Sequence, residues 1–317
     1  VNEIGACRLC LVEVTGARGM VAACVYPTND GMEIFTNTDK VKTARKMNIE
    51  LVLSAHNKKC LSCIRSTNCE LQRYAQEFGV DENYFGGKQP DRSIDESTAF
   101  LVRDNSKCIL CRRCVGACQN MQGIGAIGAA NRGFDTAIEC AFDKKLVDTS
   151  CVSCGQCIVA CPVGALYEKD DTARVIEAIN DPTKHVAICT APSVRATLGE
   201  CFGYEPGTDV EGKMVAALHR LGFDGVYDMN MTADLTIIEE ANEFIGRVQN
   251  GGKLPMITSC SPGWVKFCEH YFPEMTDNLS TCKSPQQMFG AIYKTYFAEK
   301  MGIDPKDIVF VSAIPCT

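Results

Sequence analysis

The chain lacks any apolar run long enough to cross a bilayer, a task that takes about 20 consecutive apolar residues. No signal peptide is expected ahead of its first cysteines. No membrane span is expected, and a secreted disulfide scaffold fits poorly. There is no basic excess either: 32 Lys and Arg stand against 39 Asp and Glu, a formal net charge of −7, which argues against nucleic acid as a partner. The sequence opens at Val1 without an initiator Met and has no Cys before Cys7. What it does have is cysteine, 21 residues in 317, most of them in metal-type spacings. With 46% hydrophobic and 22% charged residues, the expectation is a globular protein of several domains in a reducing, cytoplasmic setting.

Two stretches organise the rest. Cys108, Cys111, Cys114 and Cys118 have the spacing C-x2-C-x2-C-x3-C, and so do Cys151, Cys154, Cys157 and Cys161, followed by Pro162. Three thiolates two residues apart wrap one corner of an iron–sulfur cube as the backbone turns. The fourth Cys begins a helix that points away, so it ligates the other cube. This pairs Cys108, Cys111 and Cys114 with Cys161, and Cys151, Cys154 and Cys157 with Cys118. Zinc knuckles more often show two distant CxxC pairs with His.

Upstream, Cys7 and Cys10 precede a strand-like Leu11–Val14, with Gly16 and Gly19 suited to a hairpin before Cys24. Three such Cys resemble the ligands of a plant-type [2Fe–2S] site, whose fourth ligand is expected upstream of Val1, on a piece cut off or not included; the alternative is a CxxC that binds zinc or nothing. Residues 40–53 read as an amphipathic helix burying Val41, Ala44, Met47, Ile49 and Val52. His56 then precedes Cys60, Cys63 and Cys69. Three thiolates leave a site one ligand short, and a neutral imidazole can complete it, for a [4Fe–4S] cluster or for zinc. Residues 70–107 read as a linker with short helices, punctuated by Gly86, Gly87 and Pro90. Phe100–Val102 is expected as a strand, and Cys140, outside any ligand spacing, as structural.

Composition changes at Asp181-Pro182, where cysteine pairs give way to alternating strands and helices. Strands are expected at 185–189, 225–228, 253–258 and 308–314. Helices are expected from Ser193 (Val194, Leu198 and Cys201 inward) and over 215–221, 235–248, from Pro262, and over 284–300. This predicts an open parallel sheet, whose ligands bind beyond the carboxyl ends of the strands. Ser193, Cys260 and Cys316 all fall at such expected ends. The expected domains are 1–35, 36–95, 96–178 and 179–317.

Thr258-Ser259-Cys260-Ser261-Pro262-Gly263-Trp264 and Ile314-Pro315-Cys316-Thr317, behind this series of cluster motifs, resemble [FeFe]-hydrogenases. Ala191-Pro192-Ser193-Val194-Arg195 and Ser284-Pro285-Gln286-Gln287 add to the likeness. The resemblance implies a fold class of α+β iron–sulfur modules followed by the first half of an α/β parallel-sheet H-cluster domain. The modules would be a β-grasp remnant, a module with one His and three Cys ligands, and a bacterial-type 2[4Fe–4S] ferredoxin. It implies one [2Fe–2S] and three [4Fe–4S] accessory clusters, with His56, Cys60, Cys63 and Cys69 holding one of the latter. It also implies an H-cluster, a cubane joined to a diiron centre. The implied reaction is reversible cleavage of H2 to protons and electrons.

By the same resemblance Cys260 passes protons at the diiron site, and Glu240, Ser280 and Glu243 relay them onward. Ser193 and Gln286 line the pocket, and Cys316 ligates the cubane. The likeness has three departures. Ser261 stands where the family's best-known form has a cubane-ligating Cys, which leaves Cys260 or Ser261 as the ligand, or an altered cluster. Ile314 replaces the usual Met. The chain stops at Thr317, before the family's third motif, so a fragment is expected. The Thr-Ser-Cys-Ser-Pro run resembles multisubunit, electron-bifurcating members, which implies a flavin- and NAD(P)-binding partner subunit. An electron-transfer subunit of an NADH dehydrogenase-like complex and a hydrogen sensor are the competing readings.

Overall fold

The structure, a computed structural model, describes residues 4–86, 92–258 and 260–315. The chain divides into two compact units, which part between Lys169 and Asp170.

The first unit begins with a small antiparallel sheet. Strand β1 (Leu11–Val14) lies between β2 (Val21–Ala22) and β3 (Ile34–Phe35). Helix α1 (Asp39–Ser54) starts at Thr38, whose side chain accepts from the Val41 amide. Its buried apolar face is Val41, Ile49 and Leu53, which fall on one side of the helix. Met47, expected inside, is 46% exposed because it falls off that stripe. Arg45 ties the helix to the sheet through a 2.8 Å bond to the Leu11 carbonyl. Helix α2 (Glu70–Glu77) follows. Gly87 and Pro90 lie outside the described residues.

Strands β4 (Ile94–Asp95) and β5 (Leu101–Asp104) lead into the first four-cysteine stretch, and β5 is fully buried. After it come the short helix α3 (Arg113–Gly116) and the hairpin β6 (Gly128–Ala130) and β7 (Ala137–Glu139). The second stretch carries α4 (Gln156–Ala160) and ends in β8 (Leu166–Glu168), which returns antiparallel to β5. One strand therefore enters the first stretch and its neighbour leaves the second, so the two cysteine loops stand on one sheet. Cys140 is 2% exposed with its sulfur 3.6 Å from Arg103 Nη1, a structural role.

The second unit opens with α5 (Thr172–Asn180), which the expected boundary at 178/179 assigned to the preceding domain. Val175, Ala178 and Ile179 of α5 pack on this unit's sheet, and that burial moves the boundary. The sheet has β9 (His185–Thr190) between β10 (Gly225–Asp228) and β11 (Ile308–Ala313), both parallel to it. Five consecutive residues of β9 are buried because both faces are covered. Val186 and Ile188 face α5 and α7 (Glu211–Leu221), whereas Ala187 and Cys189 face an aromatic cluster of Phe289 and Tyr293.

Helix α6 (Pro192–Cys201) leaves β9 with Pro at its first turn, and Cys201, expected inside, is exposed. Helix α8 (Asn230–Asn250) starts before the expected 235 and runs to a left-handed Gly251. Residues 253–258 do not form a strand of this sheet. Pro255 has no amide to donate to a ladder. Only Ile257 pairs, its amide bonding the Asn278 carbonyl and its carbonyl taking the Ser280 amide, both at 2.7 Å. Helices α9 (Pro262–Tyr271), α10 (Pro285–Ile292) and α11 (Ala298–Met301) complete the unit, with a π-turn over Tyr293–Phe297 joining the last two.

Candidate metal centres and proton relay

The two four-cysteine loops have matching backbones. Leu110 (φ 56°) and Arg112 (φ 58°) flank Cys111, and Ser153 (φ 65°) and Gly155 (φ 70°) flank Cys154, all left-handed. Left-handed residues between right-handed ones turn successive amides inward and form a concavity for an anion, as around iron–sulfur clusters. Leu110 N–H points at Cys108 Sγ at 3.4 Å.

Their thiols gather into two sets. Burial pushes Cys108 up to about 11, and Cys111 and Cys161 add to the rise. Cys114 is also raised, first by burial, then by Cys108, Cys111 and Cys161. Cys157 is pushed up to about 12 by burial and then by Cys151, Cys154 and Cys118. Cys161 thus stands with the first triplet and Cys118 with the second. Buried thiols crowded this way resist ionising alone, and iron binding supplies the charge that deprotonates them. Among the described residues no three His, Cys, Asp or Glu side chains are placed to hold one metal ion between them. In a cube each thiolate takes its own iron, so the donor set suits a cluster.

Cys7, Cys10 and Cys24 line one cavity of about 590 Å³ together with Cys111 and Arg113. The Cys24 thiol is raised, first by its hydrogen bond with Cys10 and then by burial. The structure therefore brings these three together beside the first cubane loop.

His56, Cys60 and Cys69 line a separate cavity of about 360 Å³ with Leu53 and Leu71. Burial, partly offset by a hydrogen bond with the Lys107 backbone, holds the imidazole below its ordinary pKa and favours the neutral ring. Its Nδ1 is buried without a hydrogen-bond partner. A buried, neutral, unpartnered ring nitrogen beside thiols fits a metal ligand. Burial raises Cys60, and Cys63 and Cys69 raise it further. Cys63 sits against Gly164, where an added Cβ would come to 2.6 Å from its sulfur. Arg65 bonds the Cys161 carbonyl at 3.3 Å, and the Glu70 amide bonds the Pro162 carbonyl at 3.3 Å. These contacts fasten the segment of His56, Cys60, Cys63 and Cys69 to the corner that carries Cys161. Gly164 carried no metal spacing, so only the packing reveals it.

In the second unit, Glu243 on α8 meets Ser280 across 37 positions of sequence, with Ser280 Oγ donating to Oε2 at 2.8 Å. The Thr281 amide reaches both carboxylate oxygens at 3.2 and 3.1 Å, and Arg247 grips Oε1 at 2.6 Å. Cys282 Sγ stands 3.7 Å away. Burial pushes the Glu243 carboxyl up, but the bonds from Ser280 and Arg247 outweigh it and hold the carboxyl below its usual range. Arg247, Thr281 and Cys282 were not singled out by the sequence reading. Arg247 was findable, since a cation four residues after Glu243 shares its helix face.

Glu240 is half-buried on the same helix, with its charge raising the Cys282 thiol after burial and Glu243 do, and Cys260 is exposed just before α9. Cys260 follows the Ile257 bridge and not a strand of the sheet, which corrects its expected place at a strand end. Ser193 is the second residue of α6, beyond the end of β9, and Gln286 Nε2 bonds Ser312 Oγ at 3.1 Å near the end of β11. Cys316 lies outside the described residues.

Comparison with known proteins is consistent with this layout. The family pattern described as "Iron only hydrogenase large subunit, C-terminal domain" matches residues 184–317. A "2Fe-2S iron-sulfur cluster binding domain" matches 1–39, an "NADH-ubiquinone oxidoreductase-G iron-sulfur binding region" 45–83, and an "NADH-quinone oxidoreductase subunit 3, ferredoxin-like domain" 99–167. The chain is 48% identical to the NADP-reducing hydrogenase subunit HndD of Solidesulfovibrio fructosivorans over 99% of its own length and 55% of the relative's. It is 45% identical to iron hydrogenase 1 of Clostridium pasteurianum over 100% of its length and 55% of that protein. The NADPH-Fe(3+) oxidoreductase subunit alpha of Geobacter sulfurreducens is 33% identical over 53% of this chain and 20% of its own length. The chain thus spans about half the length of the hydrogenase relatives it matches.

Proposed function

The chain belongs to the iron-only hydrogenase family, and from that premise we propose that it is the cluster-bearing and H2-activating part of a hydrogenase catalytic subunit. Its reaction is the reversible cleavage of H2 into two protons and two electrons. The finer division follows the four segments expected from the sequence, with α5 moved into the last. They are a [2Fe–2S] β-grasp piece, a module with one His and three Cys ligands, a 2[4Fe–4S] ferredoxin and the first half of an α/β H-cluster domain. Three [4Fe–4S] clusters and one [2Fe–2S] cluster carry electrons, and an H-cluster supplies the chemistry that polarises H2. The working place is the cytoplasm; no described helix is long and apolar enough to cross a membrane.

This chain's own residues have two tasks. The thiols and His56 hold the iron and order the electron route. Cys7 and Cys111 line one cavity, the charge of Cys157 adds to the rise of Cys114, and Cys63 abuts Gly164, which supports reading these sites as neighbours. In the other unit Cys260 takes or gives the proton, and Glu240, Ser280 and Glu243 carry it, with Ser193 and Gln286 lining the pocket. Cys316 is proposed as a cubane ligand, with Cys260 or Ser261 as another. The observation that carries the reading is the Ser280–Glu243 bond within the segment matched by the hydrogenase pattern. Proton transfer requires titratable groups in hydrogen-bond reach, and this pair is.

The partner is proposed as a flavin- and NAD(P)-binding subunit, a reading supported by the printed name of the NADP-reducing relative. An electron-transfer role alone, as in an NADH dehydrogenase-like complex, is supported by the two NADH-oxidoreductase patterns in the first unit and by the oxidoreductase relative over half of the chain. It leaves the segment after Asp170 without a task. In matured full-length protein, Cys260→Ala is expected to abolish H2 uptake and evolution while the accessory clusters remain. Full turnover in that variant with assembled cofactor overturns the reading.

A further inference from the structure

The proposed relay ends at Glu243, and the groups around its carboxylate differ in what they can do with a proton. Ser280, Thr281, Cys282 and Arg247 all reach it. Arg247 bonds Oε1 through Nε at 3.1 Å and Nη2 at 2.6 Å, and it also holds the carbonyls of Lys253, Asp277 and Leu279. A guanidinium stays charged under all ordinary conditions, so it anchors the carboxylate and delivers no proton. The Thr281 N–H is a peptide donor and likewise keeps its hydrogen. Two of the four carry a hydrogen that exchanges, and both meet the same oxygen. Ser280 Oγ donates to Oε2 at 2.8 Å, and Cys282 Sγ lies 3.7 Å from it. The Cys282 amide donates to Ser280 Oγ at 3.2 Å, which leaves the serine hydrogen turned toward Glu243. Ser280 is buried, whereas Cys282 is half-buried and runs into the exposed Lys283. Oε2 therefore has an inner neighbour and an outer one.

We infer that Cys282 is the outer station of the relay, exchanging protons between Glu243 Oε2 and water. The inference rests on the relay of the proposed function and adds a residue to it. In the outward direction Oε2 gives its proton to the Cys282 sulfur as the thiol's own proton passes to a water or buffer molecule. One O–H and one S–H bond break, and one S–H bond and one bond to the acceptor form. Glu243 is left as the carboxylate, Cys282 as the thiol, and no electron moves. The inward direction is the reverse. Charge favours this order of events. Burial raises the Cys282 thiol, the bond with Ser280 acts against that rise, and the Glu243 charge adds to it. Protonating Glu243 removes that charge, so the thiol releases its proton more readily when one waits on Oε2.

The test is H2 turnover in matured full-length protein, read at fixed pH with and without imidazole as a diffusible proton carrier. Cys282→Ala is expected to lower turnover roughly 10²-fold, the loss of a proton-transfer group, and to recover as imidazole is added. Cys282→Ser keeps an exchangeable hydrogen and should return most of the loss. A variant damaged in packing does not recover with buffer, so a loss that imidazole leaves in place overturns the inference, as does full turnover in Cys282→Ala. Glu243→Gln is read beside them. Low turnover there with full turnover in Cys282→Ala overturns this inference alone; full turnover in both overturns the relay with it. A second measurement needs no H2. The infrared S–H stretch assigned to Cys282 by its loss in Cys282→Ala should shift in Glu243→Gln, and an unmoved band overturns the inference whether or not the protein turns over H2.

Discussion

The two units of this chain assemble their functional groups by opposite routes. In the two four-cysteine loops before Lys169, the proposed ligands are separated by two or three residues and the local backbone presents them. Leu110, Arg112, Ser153 and Gly155 turn the loops with four left-handed residues at equivalent positions. Beyond Asp170, Glu243 and Ser280 meet only because α8 packs beside the segment that follows α9. Local assembly depends on backbone conformation within each loop; long-range assembly depends on helix packing and on the anchoring of one carboxylate.

The contrast can be broken first in the second unit. Glu243→Gln keeps the shape and removes the charge, and should lower H2 turnover by roughly 10²-fold, as loss of a general acid–base group does. Iron and sulfide content should stay at the wild-type level, since no accessory ligand is touched. Loss of cluster iron in that variant would show that the two units are not independent in assembly.

In the first unit the matching experiment is Gly164→Ala. A Cβ 2.6 Å from Cys63 Sγ displaces the sulfur proposed as a cluster ligand. The variant should lose the iron of the His56, Cys60, Cys63 and Cys69 site while the two cubanes persist, which EPR and iron analysis will resolve. Retention of all clusters would place Cys63 outside the ligand set.

A pH series sharpens the comparison further. The Glu243 carboxyl is held below its ordinary value of 4.5, so it binds fewer protons folded than unfolded near that pH. Its contribution to stability is therefore full above 4.5 and is lost as pH falls through the lower folded value. Thermal unfolding in this acid range should be flatter with pH in Glu243→Gln than in wild type.

The smallest effect separates the twin loops. Gly155→Ala puts a Cβ on a left-handed residue and should cost about 1 kcal/mol. Arg112→Gly relieves the same conformation in the other loop and should stabilise by up to about 1 kcal/mol. Denaturant midpoints measure both, and opposite signs are the expected result.

Much of this was readable beforehand, for stated reasons. Strands 185–190, 225–228 and 308–313 are short apolar runs bounded by turns, and periodicity finds those. Residues 253–258 carry a similar apolar run, but Pro255 denies it a ladder, so the expected fourth strand reduces to one bridge. Met47 and Cys201 look inward by hydrophobicity and face out, because exposure follows the phase of a helix against its actual neighbour. Glu243 was named from its family position, whereas Arg247, Thr281 and Cys282 emerge only when the chain folds back on it.

By itself the sequence determined the ligand chemistry, the cysteine spacing and hence the loop conformations, since these depend on bonds between neighbours. It also determined the alternation that makes a parallel sheet. The tertiary structure alone decided that Gly164 receives Cys63 and that Ser280 donates to Glu243. Those facts depend on which surfaces pack, and packing is summed over contacts between residues far apart in the chain, where no local spacing records it.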